Sequence, residues 1–161
     1  MKKISFLLIL ILLLTGCSSI GEENSNGFKI GSLSTQEFED NEKYFIIMPI
    51  EWTGKNSATI KSIELVKQNE EPVNLDDRID YVFHGADALK GIGVYPREDI
   101  GEIKDLKGFK VKGESRVVLE ISMTNVRPDS NRSLKIKYLV GGEEKEQVIK
   151  SAMIENLRTK E

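Results

Sequence analysis

Two stretches of this chain alternate apolar and polar residues with period two, and that pattern restricts the fold to half-buried β-strands. In Arg116–Asn125, Val117, Leu119, Ile121 and Met123 fall on one side, with Val118, Glu120, Ser122 and Thr124 on the other. Arg132–Val140 repeats it, placing Leu134, Ile136, Tyr138 and Val140 against Ser133, Lys135 and Lys137. A helix, with its period of 3.6, would scatter these residues around its circumference. Pro128-Asp129 supplies a turn between the two stretches. Gly141-Gly142 supplies the next, after which Glu146–Ile154 is expected to return as the last strand.

Upstream, Phe28–Leu33, Lys43–Trp52, Thr59–Lys67, Ile79–His84 and Gly91–Tyr95 are further predicted strands. Pro49 should confine the end of its strand to an edge or a bulge. Ile60, out of step with Ile63 and Leu65, predicts a bulge or a slipped register. Helical signals are thin. Ser34-x-x-Glu37 fits a capping box, but no apolar stripe follows it. Pro96 with Ile100, Ile103 and Leu106 predicts a turn or two of helix, weakened by Gly101. Seven or eight short strands with polar turns predict an all-β fold: an antiparallel β-sandwich of immunoglobulin-like type, with a small barrel as the alternative. The immunoglobulin pairing of a tryptophan with two bridged cysteines is absent, because the chain has one cysteine.

That cysteine defines the other end of the chain. Lys2 and Lys3 precede the apolar run Ile4–Leu14, and Leu14-Thr15-Gly16-Cys17 follows directly. The run is too short to span a bilayer, which takes about 20 apolar residues. Its charged start and small residues before Cys17 are those of a cleaved export signal. The motif resembles the lipobox of bacterial lipoproteins. The resemblance implies cleavage before Cys17, diacylglycerol on its sulfur, palmitate-type acylation, and a lipid anchor on the extracytoplasmic face of the cell membrane. A single acyl chain binds a membrane only marginally, so stable anchoring takes two. With the polar stretch Ser18–Gly27 and the segments Glu51-Trp52-Thr53-Gly54 and Ser62-Ile63-Glu64-Leu65, the chain resembles small, largely uncharacterised lipoproteins of low-GC Gram-positive bacteria, a resemblance that brings no activity or site residues with it.

The organisation expected is therefore a signal peptide over residues 1–16, the lipidated cysteine and tether over 17–27, and one domain from Phe28 to Glu161. Ten tether residues span about 17–19 Å. The domain has 134 residues and no thiol. It must rely on its core, and a chain of about 150 residues buries nearly 70% of its unfolded surface. Without Lys2 and Lys3, 21 basic residues face 26 acidic ones, a charge of −5 that argues against nucleic acid as a partner.

Motifs for chemistry are few. Gly91-Ile92-Gly93 and Gly141-Gly142 lack phosphate-loop spacing and read as turn or bulge glycines. Nucleophilic catalysis needs a base beside the nucleophile, and His84 is the only histidine while Cys17 is committed to lipid. His84 with Met48, Met123 and Met153 supplies the residue types of a copper site, since thioethers suit Cu(I), but no His-x-Met or paired-Met motif is present. The acidic groups Glu37, Glu39, Asp40 and Glu42, and Asp76, Asp77 and Asp80, lack the alternating spacing of a calcium loop and read as solvated. Trp52, at a strand end, reads either as an aromatic anchor for a partner, together with Lys55 and Asn56, or as a core residue closing the sandwich. The expectation is a non-enzymatic, cofactor-free interaction module that binds an extracytoplasmic protein. A copper- or ligand-binding accessory protein is the alternative.

Overall fold

The structure, a computed structural model, describes residues 26–34, 37–86 and 91–160. The Leu14–Cys17 motif and the tether up to residue 25 lie outside them. Ten strands are formed among the described residues: β1 (Phe28–Ile30), β2 (Lys43–Trp52), β3 (Ala58–Val66), β4 (Ile79–Ala86), β5 (Gly93–Tyr95), β6 (Ile103–Lys104), β7 (Lys110–Val111), β8 (Gly113–Met123), β9 (Ser133–Val140) and β10 (Glu143–Ile149). One sheet runs β1-β2-β8-β4-β6, with β5 also on β2; the other runs β10-β9-β3-β7. The orders β1-β2-β8-β4 and β10-β9-β3 are those of strands A-B-E-D and G-F-C in an immunoglobulin constant-type sandwich. The expected sandwich is present. Its count exceeds eight because β5, β6 and β7 lie between the fourth and fifth strands of that plan, in pieces too short to show a period.

Alternation decides the core. Val117, Leu119, Ile121 and Met123 of β8 are all but inaccessible, and face Leu134 and Ile136 of β9 and Ile60, Ile63 and Leu65 of β3. Each fully buried aliphatic side chain contributes about 1.5–3 kcal/mol. The expected irregularity at Ile60 is a register shift between Ile60 and Ser62, which lets Ile60, Ile63 and Leu65 all reach the core.

The opposite face of the larger sheet is covered over part of its length. The segment from β5 to β6 lies across it, and Ile100, Tyr95 and Ile103 enclose Phe45, Ile47, Ala86 and Val118 in a second, smaller core. This is why Val118 is fully buried although it lies on the polar side of its alternating stretch. The helix expected after Pro96 is a single 3₁₀ turn, Arg97–Asp99, and Gly101 at φ 81° turns the chain out of it into β6.

Pro49 lies inside a strand with partners on both sides rather than at an edge. Its carbonyl accepts from the Gly31 N–H, so its ring nitrogen points to the same side. That is the side where β5 stops at Ile47 and β1 starts at Ile50, and the missing donor is not needed. Gly31 is required there, because a Cβ would fall 2.5 Å from the Pro49 ring.

The last strand ends at Ile149, not Ile154. Ala152–Glu155 is instead a short helix, α1, whose Met153 and Ile154 close the core with Leu157. Gly141 and Gly142, at φ 61° and 88°, form the two-residue hairpin between Val140 and Glu143.

The side of the sandwich where β1 and β10 meet is closed by one side chain. The Gln147 amide accepts from the Phe28 N–H at 2.8 Å and donates to the Phe28 carbonyl at 3.0 Å, as a neighbouring strand would. Gln147→Ala should therefore cost about 1–3 kcal/mol, the penalty for stranding partly buried backbone groups. Ile121→Lys should unfold the domain or nearly so, while Ser122→Lys, one residue on and facing out, should be mild. Chemical denaturation of the three variants checks this; equal losses at 121 and 122 would mean that the inward face has been misassigned.

Candidate functional site

Two surfaces gather charged side chains. The first is the uncovered part of the larger sheet's outer face. Glu120 of β8 stands between Phe45 of β2 and Val82 of β4 in register. Its Oε1 accepts from the Lys43 ammonium at 2.7 Å, and its Oε2 meets His84 Nε2 at 2.9 Å. An ionised carboxylate only accepts, so this contact makes Nε2 the protonated nitrogen. The Lys43 bond holds the Glu120 carboxyl below its ordinary pKa; partial burial opposes this, and the His84 bond adds to it. The same bond raises Lys43 above the usual lysine value, with Asp80 adding a smaller pull. The trio is an oriented, nearly satisfied network.

The second surface is the end of the sandwich where β2 begins and β8 finishes. Phe38 pairs with the chain's last described stretch, donating to the Arg158 carbonyl and accepting from Lys160 N–H. Val126 is held beside it: its N–H donates to Thr159 Oγ1, and its carbonyl accepts from Thr159 N–H, both at 3.0 Å. The ridge Asn125–Pro128 separates two grooves, of about 500 Å³ and about 660 Å³. Lys67, Arg78, Arg127 and Arg132 line the first together with Asp76, Asp77 and Asp129; Arg127, Arg158 and Lys160 line the second with Glu37. Asn41, Arg78 and Asn125, at φ 62°, 61° and 50°, occupy the left-handed region at this end. Asparagine tolerates this region, and Arg78 caps the 3₁₀ turn Leu75–Asp77 there.

Arg132 is the unusual member, only 5% exposed. Its guanidinium donates to the carbonyls of Ile154 and Leu157 through one terminal nitrogen, at 3.1 and 3.2 Å, and to Arg127 O through the other at 3.0 Å. It thereby clamps α1 and the residues after it to the ridge. Burial lowers its pKa, against which the charges of Asp129 and Asp77 act.

The sequence-predicted residues are spread apart. Trp52 is a core residue and not an exposed anchor: it is 3% exposed and packs with Phe28 and Tyr138, ring centroids 4.9 and 5.3 Å away. Its indole N–H donates to Asn56 O at 2.6 Å, and Gly54 lies so close over the ring that a Cβ would meet Nε1 at 2.5 Å. Lys55 and Asn56 are exposed on the loop so held, at the end where the chain enters through Gly27. His84 and Met48 lie on opposite faces of the sheet, Met48 in the main core with Met123 and Met153. The residues of the copper alternative therefore do not converge. Among the described residues no group of three or more His, Cys, Asp or Glu side chains forms a metal cluster. The acidic groups are largely engaged: Glu37 with Arg158, Glu39 with Lys160, Asp77 with Lys67, and Asp40 with the Asn125 N–H. Cys17 lies outside the described residues.

Glu120 was legible as an outward position of an alternating strand, but nothing in the sequence brings Lys43 and His84 to it. Arg132, read from the sequence only as the first residue of a strand, carries no local sign that it will be buried. No family model matches the chain, and no curated protein matches it either. No helix among the described residues is long and apolar enough to cross a membrane.

Glu120 has a lowered folded-state pKa, so the stability it contributes is present above the ordinary glutamate value, about 4.3. It is lost as pH falls through the depressed value. Glu120→Gln should lower the thermal midpoint at pH 7 and flatten its decline on the acid side. An acid limb as steep as that of the wild type would rule out the network as its source.

Proposed function

We propose that this chain is a lipid-anchored extracytoplasmic lipoprotein whose sandwich is a non-catalytic binding module for a protein partner. The lipobox resemblance at Leu14–Cys17 supports the anchor. The observation that carries the binding half of the reading is directional. Phe28 enters the sandwich opposite Trp52, and a groove of about 530 Å³ between Lys29, Glu51 and Glu114 lies near that end, whereas the two grooves beside the Asn125–Pro128 ridge lie past Lys43, at the other end of the ten-residue β2. Such a strand spans about 30 Å. A tether leading into Phe28 holds the Trp52 end toward the bilayer and turns the ridge end away from it. The binding surface is thereby assigned to the ridge end, in place of the loop bearing Lys55 and Asn56.

Cys17→Ala should leave an unprocessed, unlipidated precursor, seen by mass spectrometry and membrane fractionation. A variant that matures and fractionates like the wild type would end the anchor reading. For the binding surface, a photo-crosslinking amino acid placed at position 128, exposed between the two grooves, should in native membranes capture a protein that the same group at position 55 does not. Equal capture at both positions would overturn the assignment.

A further inference from the structure

We infer that the groove beside the Asn125–Pro128 ridge is an oxyanion site, in which Arg132, Arg127 and Arg78 receive a carboxylate or phosphate group of the partner. This rests on the reading of the ridge end as the binding surface and gives it a chemistry.

Arg132 carries a buried charge with no counter-ion in contact among the described residues. Arg132 is 5% exposed, and its three hydrogen bonds to carbonyls use neutral acceptors. Among the described residues no carboxylate lies at ion-pair distance from it. Asp129 and Asp77, which line the same groove, act on it from beyond contact distance; Asp77 Oδ1 pairs with Lys67 at 2.6 Å, and Asp129 Oδ1 accepts the Asn131 N–H at 2.8 Å and keeps its charge. The carbonyls use donors of the guanidinium but are neutral, so its buried charge is compensated only in part, which is costly. The guanidinium carries five N–H groups, and three are spoken for.

The groove that Arg132 lines supplies the rest. Arg127 and Arg78 are exposed on its walls, and neither side chain has an ion-pair partner among the described residues. Asp76, Asp77 and Asp129 share the lining; Asp77 is paired with Lys67, which leaves three arginines facing the two carboxylates of Asp76 and Asp129. Guanidinium groups bind carboxylate and phosphate oxygens through paired, charge-assisted hydrogen bonds. Here the buried group provides a fixed charge at low local dielectric, and the exposed pair provides the adaptable donors. The volume, about 500 Å³, admits a side chain or chain terminus together with its anionic group.

The test uses the lipidated full chain in detergent, titrated with inorganic phosphate or succinate against chloride at equal ionic strength, read by thermal midpoint and calorimetry. A ligand that binds only the folded state raises the midpoint by mass action. The expected result is a saturable rise with one of the two oxyanions beyond that with chloride. The tighter of the two tells a phosphate group from a carboxylate. Arg127→Gln and Arg78→Gln, both at exposed positions, should each weaken binding about tenfold, the loss of one hydrogen bond to a charged group. Lys55→Gln, at the far end, should leave binding unchanged. Equal action of chloride and both oxyanions, or equal loss in Lys55→Gln and Arg127→Gln, would overturn the site. Crosslinking at position 128 without any oxyanion binding would overturn only the oxyanion chemistry and leave the binding surface standing.

Discussion

Strand β8 is buried on both faces for part of its length, and the rest of the architecture follows from satisfying it. Its inner side chains, Val117 to Met123, require the second sheet as a lid. Its pairing with β2 over ten positions and with β4 over eight makes it the centre of the larger sheet. On its outer face, Val118 shares an apolar patch with Phe45 and Ile47 that water would otherwise cover. The strap from β5 to β6 buries that patch and stops there. Glu120 and Ser122, one and two steps along the same face, stay open. The charged trio therefore sits where apolar sequence on β8 gives way to polar sequence.

What was readable in the sequence and what was not divides along the same line. Strands with one wet face carry a period-two signal, so β3, β8 and β9 were legible, as was the irregularity at Ile60; β2, buried on both faces from Phe45 to Met48, shows instead as an apolar run too short and too β-branched for a helix. Val118 sits at a position whose neighbours Glu120 and Ser122 are polar, and period alone assigns it to solvent. Its burial depends on Ile100, eighteen residues upstream and outside any regular element. The strands β5, β6 and β7 have two or three residues each and exist through their partners, so no local pattern announces them. The helix α1 was hidden for a related reason. Met153, Ile154 and Leu157 fit one turn of helix, but the preceding alternation runs into them without a break.

The candidate site was less legible than the fold, and the reason is register. Lys43, His84 and Glu120 come from three strands that the sequence does not order, and they meet because β8 lies between β2 and β4. The copper alternative had weighed His84 and Met48 as residue types without knowing their faces. In β2 the even-numbered positions Met48, Ile50 and Trp52 enter the main core, while His84 lies opposite Val118 on the outer face. The same parity that makes Met48 a good core residue removes it from the histidine. Trp52 followed the same logic, because its position puts the indole inside with Phe28 and Tyr138.

The two ends of the sandwich are built with different physics, and this is what gives the domain a direction. At the end where the chain enters, Phe28, Trp52 and Tyr138 form an aromatic cluster, and Gln147 ties Phe28 to β10 through its own backbone groups. At the other end the buried Phe38, its ring 4.7 Å from Tyr44, is joined by many more polar contacts: the Arg132 clamp, the Thr159–Val126 pair and the engaged carboxylates of Glu37, Glu39 and Asp40. The polar contacts leave a ridge between two grooves, with left-handed residues beside it. Near the aromatic end the groove lies instead on the outer face of the larger sheet, between Lys29, Glu51 and Glu114, because the rings fill the space between the sheets there.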